Sequence, residues 1–137
     1  MFRLTQTIEF CYGHRLLNYS GKCRYLHGHN ARAEIVLAGE SLDDRGMLID
    51  FSDIKSVLRT WIDRELDHRM ILCKSDPVVE FLRGEGEPLF LLDVNPTAEN
   101  IAKVIFEQAK SESLPVVEVG LWETPRSRAI YTPGTPS

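Results

Sequence analysis

The stretch His27-Gly28-His29-Asn30-Ala31-Arg32-Ala33-Glu34-Ile35-Val36-Leu37-Ala38 decides the fold. Over residues 30–38, Ala31, Ala33, Ile35 and Leu37 oppose Arg32, Glu34 and Val36, and this period of two predicts a half-buried strand. Residues 3–11 carry the same signal, with Leu4, Gln6, Ile8 and Phe10 on one side and Arg3, Thr5, Thr7 and Glu9 on the other. Asn18-Tyr19-Ser20-Gly21-Lys22 between them is turn chemistry.

Downstream the period changes. Ile54, Val57, Leu58, Trp61 and Ile62 recur at helical spacing, which predicts an amphipathic helix over 52–66. Asp50 or Ser52 is its candidate cap. A second helix is predicted after Asn95-Pro96-Thr97, opened by Pro96 or Thr97, with Ile101, Val104, Ile105 and Ala109 buried and Leu114-Pro115 as its end. Val117, Val119 and Leu121 then alternate with Glu118 and Gly120, and Ala129-Ile130-Tyr131 reads as a last short strand. Residues 76–92 are hard to read: Phe90-Leu91-Leu92 suits a brief strand and Gly84-Glu85-Gly86-Glu87 an exposed loop. The order predicts one α+β domain with two helices on one face of an antiparallel sheet. Two helices leave the other face bare, and self-association is the expected cover.

The chain has 137 residues, 43% hydrophobic and 26% charged, enough for a single core. A net charge of -4 offers no electrostatic case for nucleic acid or an anionic membrane. No signal peptide or run long enough to span a bilayer is recognisable, and the tail over 132–137 reads as frayed. Three cysteines, an odd number, argue against a disulfide framework and for a reducing cytoplasm.

The four histidines carry the chemistry. In an extended segment His27 and His29 point to the same side, and Gly28 between them leaves room for an ion. His14 closes the first strand, where a chain reversal brings it beside the pair. Three neutral imidazoles suit Zn²⁺ and leave a coordination position open. The competing reading of H-x-H is a histidine pair without metal. Cys23 admits three readings: a fourth zinc ligand, an inert small residue, or a thiolate base flanked by Lys22 and Arg24. Cys11 and Cys73 read as packing residues. Asp67-His68 is either a proton-transfer pair or a histidine at a helix end. Glu123 is either an exposed strand-end carboxylate or an acceptor for a ring edge with adjacent N–H donors.

Together, Phe10-Cys11-Tyr12-Gly13-His14-Arg15-Leu16, Cys23-Arg24-Tyr25-Leu26-His27-Gly28-His29-Asn30, Leu66-Asp67-His68, Asn95-Pro96-Thr97-Ala98-Glu99-Asn100 and Trp122-Glu123-Thr124 resemble the 6-pyruvoyl-tetrahydropterin synthase family, which includes the bacterial 6-carboxytetrahydropterin synthases. The resemblance implies a T-fold, a four-stranded antiparallel sheet with two helices on one face. Sheets of several copies join into a barrel, as trimers or dimers of trimers. It implies Zn²⁺ on His14, His27 and His29, and a catalytic Cys23 working with Asp67 and His68. It also implies a ring anchor at Glu123 and a pocket segment at Thr97. The implied substrate is 7,8-dihydroneopterin triphosphate, a small-molecule pterin whose phosphates Lys22, Arg24 and Arg126 are candidates to meet. The three-residue gap between Cys23 and His27 is similar to the carboxy branch, which releases acetaldehyde and triphosphate on the route to 7-deazaguanine nucleosides such as queuosine. The other branch yields 6-pyruvoyltetrahydropterin, a third reading is a folate-route side-chain lyase, and a fourth a non-catalytic zinc-binding oligomer. Cys11-Tyr12-Gly13, Ala31 and Tyr25 depart from the family's pattern at the pocket rim and bear on substrate preference.

Overall fold

A computed structural model describes residues 1–134. Two long strands, β1 (Phe2–His14) and β2 (His27–Gly39), form an antiparallel hairpin. They are followed by α1 (Phe51–Glu65), β3 (Arg69–Cys73), α2 (Val78–Gly84), β4 (Leu89–Leu92), α3 (Ala98–Ser111), β5 (Val116–Thr124) and β6 (Ser127–Tyr131). The sheet order is β4-β3-β1-β2-β5-β6. Among the described residues no helix is long and apolar enough to cross a membrane.

The four antiparallel strands expected are β1, β2, β5 and β6. The four-stranded count is corrected by β3 and β4, added in parallel at the free edge of β1, and β4 is the brief strand expected at Phe90-Leu91-Leu92. A third helix, α2, lies between them. The Met70-Ile71-Leu72-Cys73 run has no alternation, because Ile71, Leu72 and Cys73 are all buried, so period gave no warning of a strand. With seven residues, α2 is too short for a helical period to declare itself. Gly84, expected in a loop, is the last residue of α2, and the exposed turn follows it. The expectation of a frayed tail falls, at residues 135–137, outside the described residues.

Alternation sorts the sheet into two faces. Ile8, Phe10, Ala31, Ala33, Ile35, Leu37, Val119 and Leu121 form a core with Ile54, Leu58, Trp61 and Ile62 of α1 and Ile101, Ala102, Ile105, Phe106 and Ala109 of α3. Asp50 caps α1 by accepting from the Ser52 amide, and Thr97 caps α3 by accepting from the Asn100 amide. The opposite face carries Glu9, Arg32, Glu34, Trp122 and Arg128. There the Arg32 and Arg128 guanidiniums lie 5.3 and 4.9 Å from the Trp122 ring, while Trp122 Nε1 and Arg128 donate to Glu34.

One buried ion pair ties the end of β1 to the start of α2. Arg15 donates from Nε to Asp76 Oδ2 at 2.7 Å and from its terminal nitrogen to Oδ1, and Asp76 also accepts from the Val78 amide. The Asp76 side chain is fully buried. The hydrogen bonds from Arg15, against the opposing pull of burial, hold the Asp76 carboxyl below its ordinary value. Arg15→Met is expected to cost about 3 kcal/mol, because it leaves a buried carboxylate without its cation. The urea midpoint at pH 7 measures it; an unchanged midpoint removes the pair from the account of stability. In the wild type this contribution is present above the ordinary carboxyl value. It is lost as pH falls through the lowered one.

Candidate metal centre and active site

The hairpin register builds the site. His14 pairs with His27 and Tyr12 with His29 across β1 and β2, so all four side chains share the core-facing side at the end of the sheet. The three His rings form a triangle with centroids 4.5, 5.0 and 5.0 Å apart. Each ring has one ligand nitrogen within 4.8 Å of the other two.

The hydrogen bonds fix which nitrogens face inward. His14 Nδ1 lies 2.7 Å from the Pro96 carbonyl and His27 Nδ1 lies 2.7 Å from the Tyr25 carbonyl. A carbonyl only accepts, so both Nδ1 atoms carry the proton and both Nε2 atoms present lone pairs. His27 Nε2 is buried with no partner among the described residues. His14 Nε2 and His29 Nε2 face each other at 3.1 Å, close to the roughly 3.3 Å between two ligand nitrogens on a tetrahedral zinc. Burial lowers the pKa of His14 and of His29, reinforced by the neighbouring rings and opposed by Glu123. Burial that favours the neutral form of His14 and His29, the partnerless nitrogen of His27 and the inward lone pair of His14 fit a divalent cation. Carbonyls that orient ligand imidazoles are the usual outer support of such a site.

Gly28 plays a different part from the one expected. It faces away from the rings, and a Cβ there meets the Tyr12 carbonyl oxygen at 3.1 Å. The residue permits close strand pairing and makes no room for an ion.

Glu123, at the end of β5, stands on the same face, its side chain 22% exposed. Its Oε1 accepts from the Tyr12 hydroxyl at 2.8 Å, and its two oxygens lie 3.8 and 3.7 Å from His14 Nε2 and His29 Nε2. Burial, then the charge of Glu123 and the bond to it, push the Tyr12 phenol well above its ordinary value, so Tyr12 is a donor. Sequence reading noted Tyr12 as a departure without giving it a role. Its position two residues before His14, on the same strand face, was the signal available.

Cys23 sits in the short 3-10 turn Lys22–Arg24 between β1 and β2. It lines a cavity of ≈ 370 Å³ together with His14, Thr97 and Glu123. Four of the predicted site residues therefore meet in one space, and Cys23 is outside the cluster of inward ring nitrogens. The Thr97 hydroxyl is engaged by the Asn100 amide. Asn95 grips Leu17 by both its amide and carbonyl at 2.8 Å, which holds the loop after β1 against the start of α3.

Lys22, Arg24 and Arg126 do not line this cavity. Arg24 donates to the Ser20 carbonyl and the Tyr25 hydroxyl and stacks 4.5 Å over the Tyr25 ring. Arg126 is exposed in the β5–β6 turn, its amide bonded to Thr124 Oγ1.

Asp67 and His68 follow α1. His68 Nδ1 meets Asp67 Oδ2 at 2.8 Å, and His68 Nε2 lies 3.4 Å from the sulfur of Cys11 rather than against last-turn carbonyls. Cys11, read from sequence as a packing residue, is corrected to a partner of this pair. Burial works to raise the Asp67 carboxyl, but the Cys11 amide and His68 outweigh it and hold it below its ordinary value. His68 lines a cavity of ≈ 610 Å³ with His27 and His29. The His trio is thus a wall between the Cys23 cavity and the His68 cavity.

A family model described as 6-pyruvoyl tetrahydropterin synthase matches residues 3–134, and the chain belongs to that family. The curated 6-carboxy-5,6,7,8-tetrahydropterin synthase of Rickettsia felis is 38% identical over 136 residues, covering 91% of this chain and 96% of its own. The protein of the same name from Haemophilus influenzae is 32% identical over 139 residues, covering 96% and 99%. Among solved structures, an uncharacterized protein of Wolinella succinogenes superposes with a TM-score of 0.77 at 26% identity, over 96% of this chain and 97% of that one. The 6-pyruvoyl tetrahydropterin synthase of Caenorhabditis elegans gives 0.72 at 28% identity, over 97% and 96%.

Proposed function

We propose that the chain is a zinc-dependent 6-carboxy-5,6,7,8-tetrahydropterin synthase, a cytoplasmic lyase acting on 7,8-dihydroneopterin triphosphate. Its products are 6-carboxytetrahydropterin, acetaldehyde and triphosphate, on the route to 7-deazaguanine nucleosides such as queuosine. The observation that carries the reading is the convergence of His14, His27 and His29 beside Glu123 and Cys23. The names of the curated relatives support the carboxy branch over the pyruvoyl one.

A Zn²⁺ ion on the three rings supplies Lewis acidity toward the hydroxylated side chain of the pterin. Everything else falls to the chain's own groups. Glu123 accepts from adjacent N–H donors of the ring edge, and Tyr12 holds the carboxylate in the rotamer that faces the cavity. Cys23, in the same cavity, takes a proton from the side chain. His68, oriented by Asp67, moves protons from the far side of the His wall. Lys22, Arg24 and Arg126 remain candidates for the phosphates. Copies assemble through their sheets, as a trimer or dimer of trimers.

Product analysis tests the assignment. Incubation with 7,8-dihydroneopterin triphosphate is expected to yield 6-carboxytetrahydropterin and acetaldehyde by mass spectrometry. A 6-pyruvoyl or 6-hydroxymethyl product overturns the branch. Tyr12→Phe is expected to raise KM about tenfold, roughly the ~1.4 kcal/mol of one hydrogen bond to a charged group, with kcat changed less. Equal losses in kcat and KM would move Tyr12 from ring binding to the chemical step.

A further inference from the structure

Cys11 is bound to the Asp67-His68 dipeptide at three points. Its amide donates to Asp67 Oδ1 at 2.9 Å, its carbonyl accepts from the His68 amide at 2.7 Å, and its sulfur lies 3.4 Å from His68 Nε2. His68 has φ +58°, a left-handed conformation that crowds the Cβ of any residue but glycine. Such strain persists where surrounding contacts over-determine it, and it concentrates at functional positions. Here the contacts aim the ring at the thiol.

The proton positions follow from the acceptors. Asp67 is held as a carboxylate, with Oδ1 on the Cys11 amide and Oδ2 on His68 Nδ1. Nδ1 therefore carries a proton, and in the neutral ring Nε2 presents its lone pair to the Cys11 thiol. Thiol, base and orienting carboxylate form a nucleophile-activation series within one chain. The His68 side chain is 78% exposed, and Cys11 and His68 line the ≈ 610 Å³ cavity with Leu26, Met70 and Leu82. A small, partly apolar electrophile can reach the sulfur.

We propose that Cys11, His68 and Asp67 form a nucleophilic thiol site that adds to small aldehydes. The Cys11 sulfur bonds to the carbonyl carbon while His68 Nε2 takes the thiol proton. The C=O π pair moves onto oxygen, which then receives that proton from His68, giving a hemithioacetal with nothing oxidised or released. The choice of aldehyde rests on the proposed reaction, whose two-carbon product forms beyond the His27–His29 wall of this cavity. The reactivity of the thiol does not depend on it.

The test is limited alkylation of the whole protein with iodoacetamide, read at each cysteine by peptide mass spectrometry. Cys73 is the buried control, and Cys23 the control in the other cavity. Cys11 is expected to react at least about tenfold faster than Cys73. His68→Asn keeps a residue tolerant of left-handed backbone but removes the base. It is expected to slow Cys11 by about tenfold or more while leaving Cys23, Cys73, circular dichroism and zinc content unchanged. Acetaldehyde is expected to protect Cys11 in the wild type and not in His68→Asn.

Equal Cys11 rates in the two proteins overturn the proposal, as does a failure of acetaldehyde to protect. A second chelatable zinc equivalent that shields Cys11 and disappears in Cys11→Ser identifies a metal ligand instead and also overturns it. Labelling is read without turnover. Its failure therefore leaves the synthase reading standing, and a different pterin product leaves the labelling result standing.

Discussion

His27→Ala is expected to empty the metal site and to cut turnover on the order of 10³-fold, the loss that follows when several kcal/mol of Lewis-acid stabilisation disappear. His27 is the most informative of the three rings. Its Nδ1 is spent on the Tyr25 carbonyl, and its buried Nε2 has no partner among the described residues. A cation held by that nitrogen repays the desolvation. Zinc content by atomic absorption and turnover are expected to fall together, while the far-UV spectrum holds because the β1–β2 ladder does not depend on the ring. A full zinc equivalent retained in His27→Ala would exclude this ligand set. The same physics gives a pH dependence. His14 and His29 titrate below the ordinary histidine value of about 6.5, mainly through burial. Between the lowered and the ordinary values the unfolded chain holds more protons than the folded one, so stability rises with pH across that window. The contribution is complete above the ordinary value and is lost as pH falls through the lowered ones. Metal retention is expected to fail on the same acid side, since protons compete for the same lone pairs.

What could be read in advance was whatever repeats along the chain. Ala31, Ala33, Ile35 and Leu37 declare β2, and Ile54, Leu58, Trp61 and Ile62 declare α1, because one face of each meets the core and the other meets water. β3 is buried on both sides of its pleat and repeats nothing. The His trio was legible for the same reason as β2: in a strand, i and i+2 share a face, and His14 ends the paired strand. The groups that hold those rings were not. Pro96 contributes a carbonyl from 82 residues away, and a carbonyl has no residue type to betray it. Cys11 was read as packing because its neighbours in sequence are apolar, yet its partners lie 56 and 57 residues downstream. Tertiary placement alone separates it from Cys73, which is buried beside Ser75.

Cys23→Ala is expected to keep the metal and the assembly and to lower turnover by about 10²–10⁴-fold, the range for losing a positioned proton acceptor. The geometry makes this substitution clean. The turn that carries Cys23 is held by its backbone, with the Cys23 carbonyl accepting from the Leu16 amide at 2.8 Å and the Arg24 and Tyr25 amides bonding back to Gly21 and Lys22. Removing the thiol touches none of these. Cys23 lines the cavity shared with His14, Thr97 and Glu123 and lies outside the cluster of inward ring nitrogens. Cys23→Ser sharpens the result, since a hydroxyl keeps the size and polarity but is a far weaker acid than a thiol. Serine is therefore expected to behave like alanine in turnover and like cysteine in zinc content. Were zinc to leave with the thiol, the sulfur would be the fourth ligand of a closed structural site. No open position would then remain for a substrate hydroxyl, and an enzyme built on these three imidazoles would have no chemistry to perform.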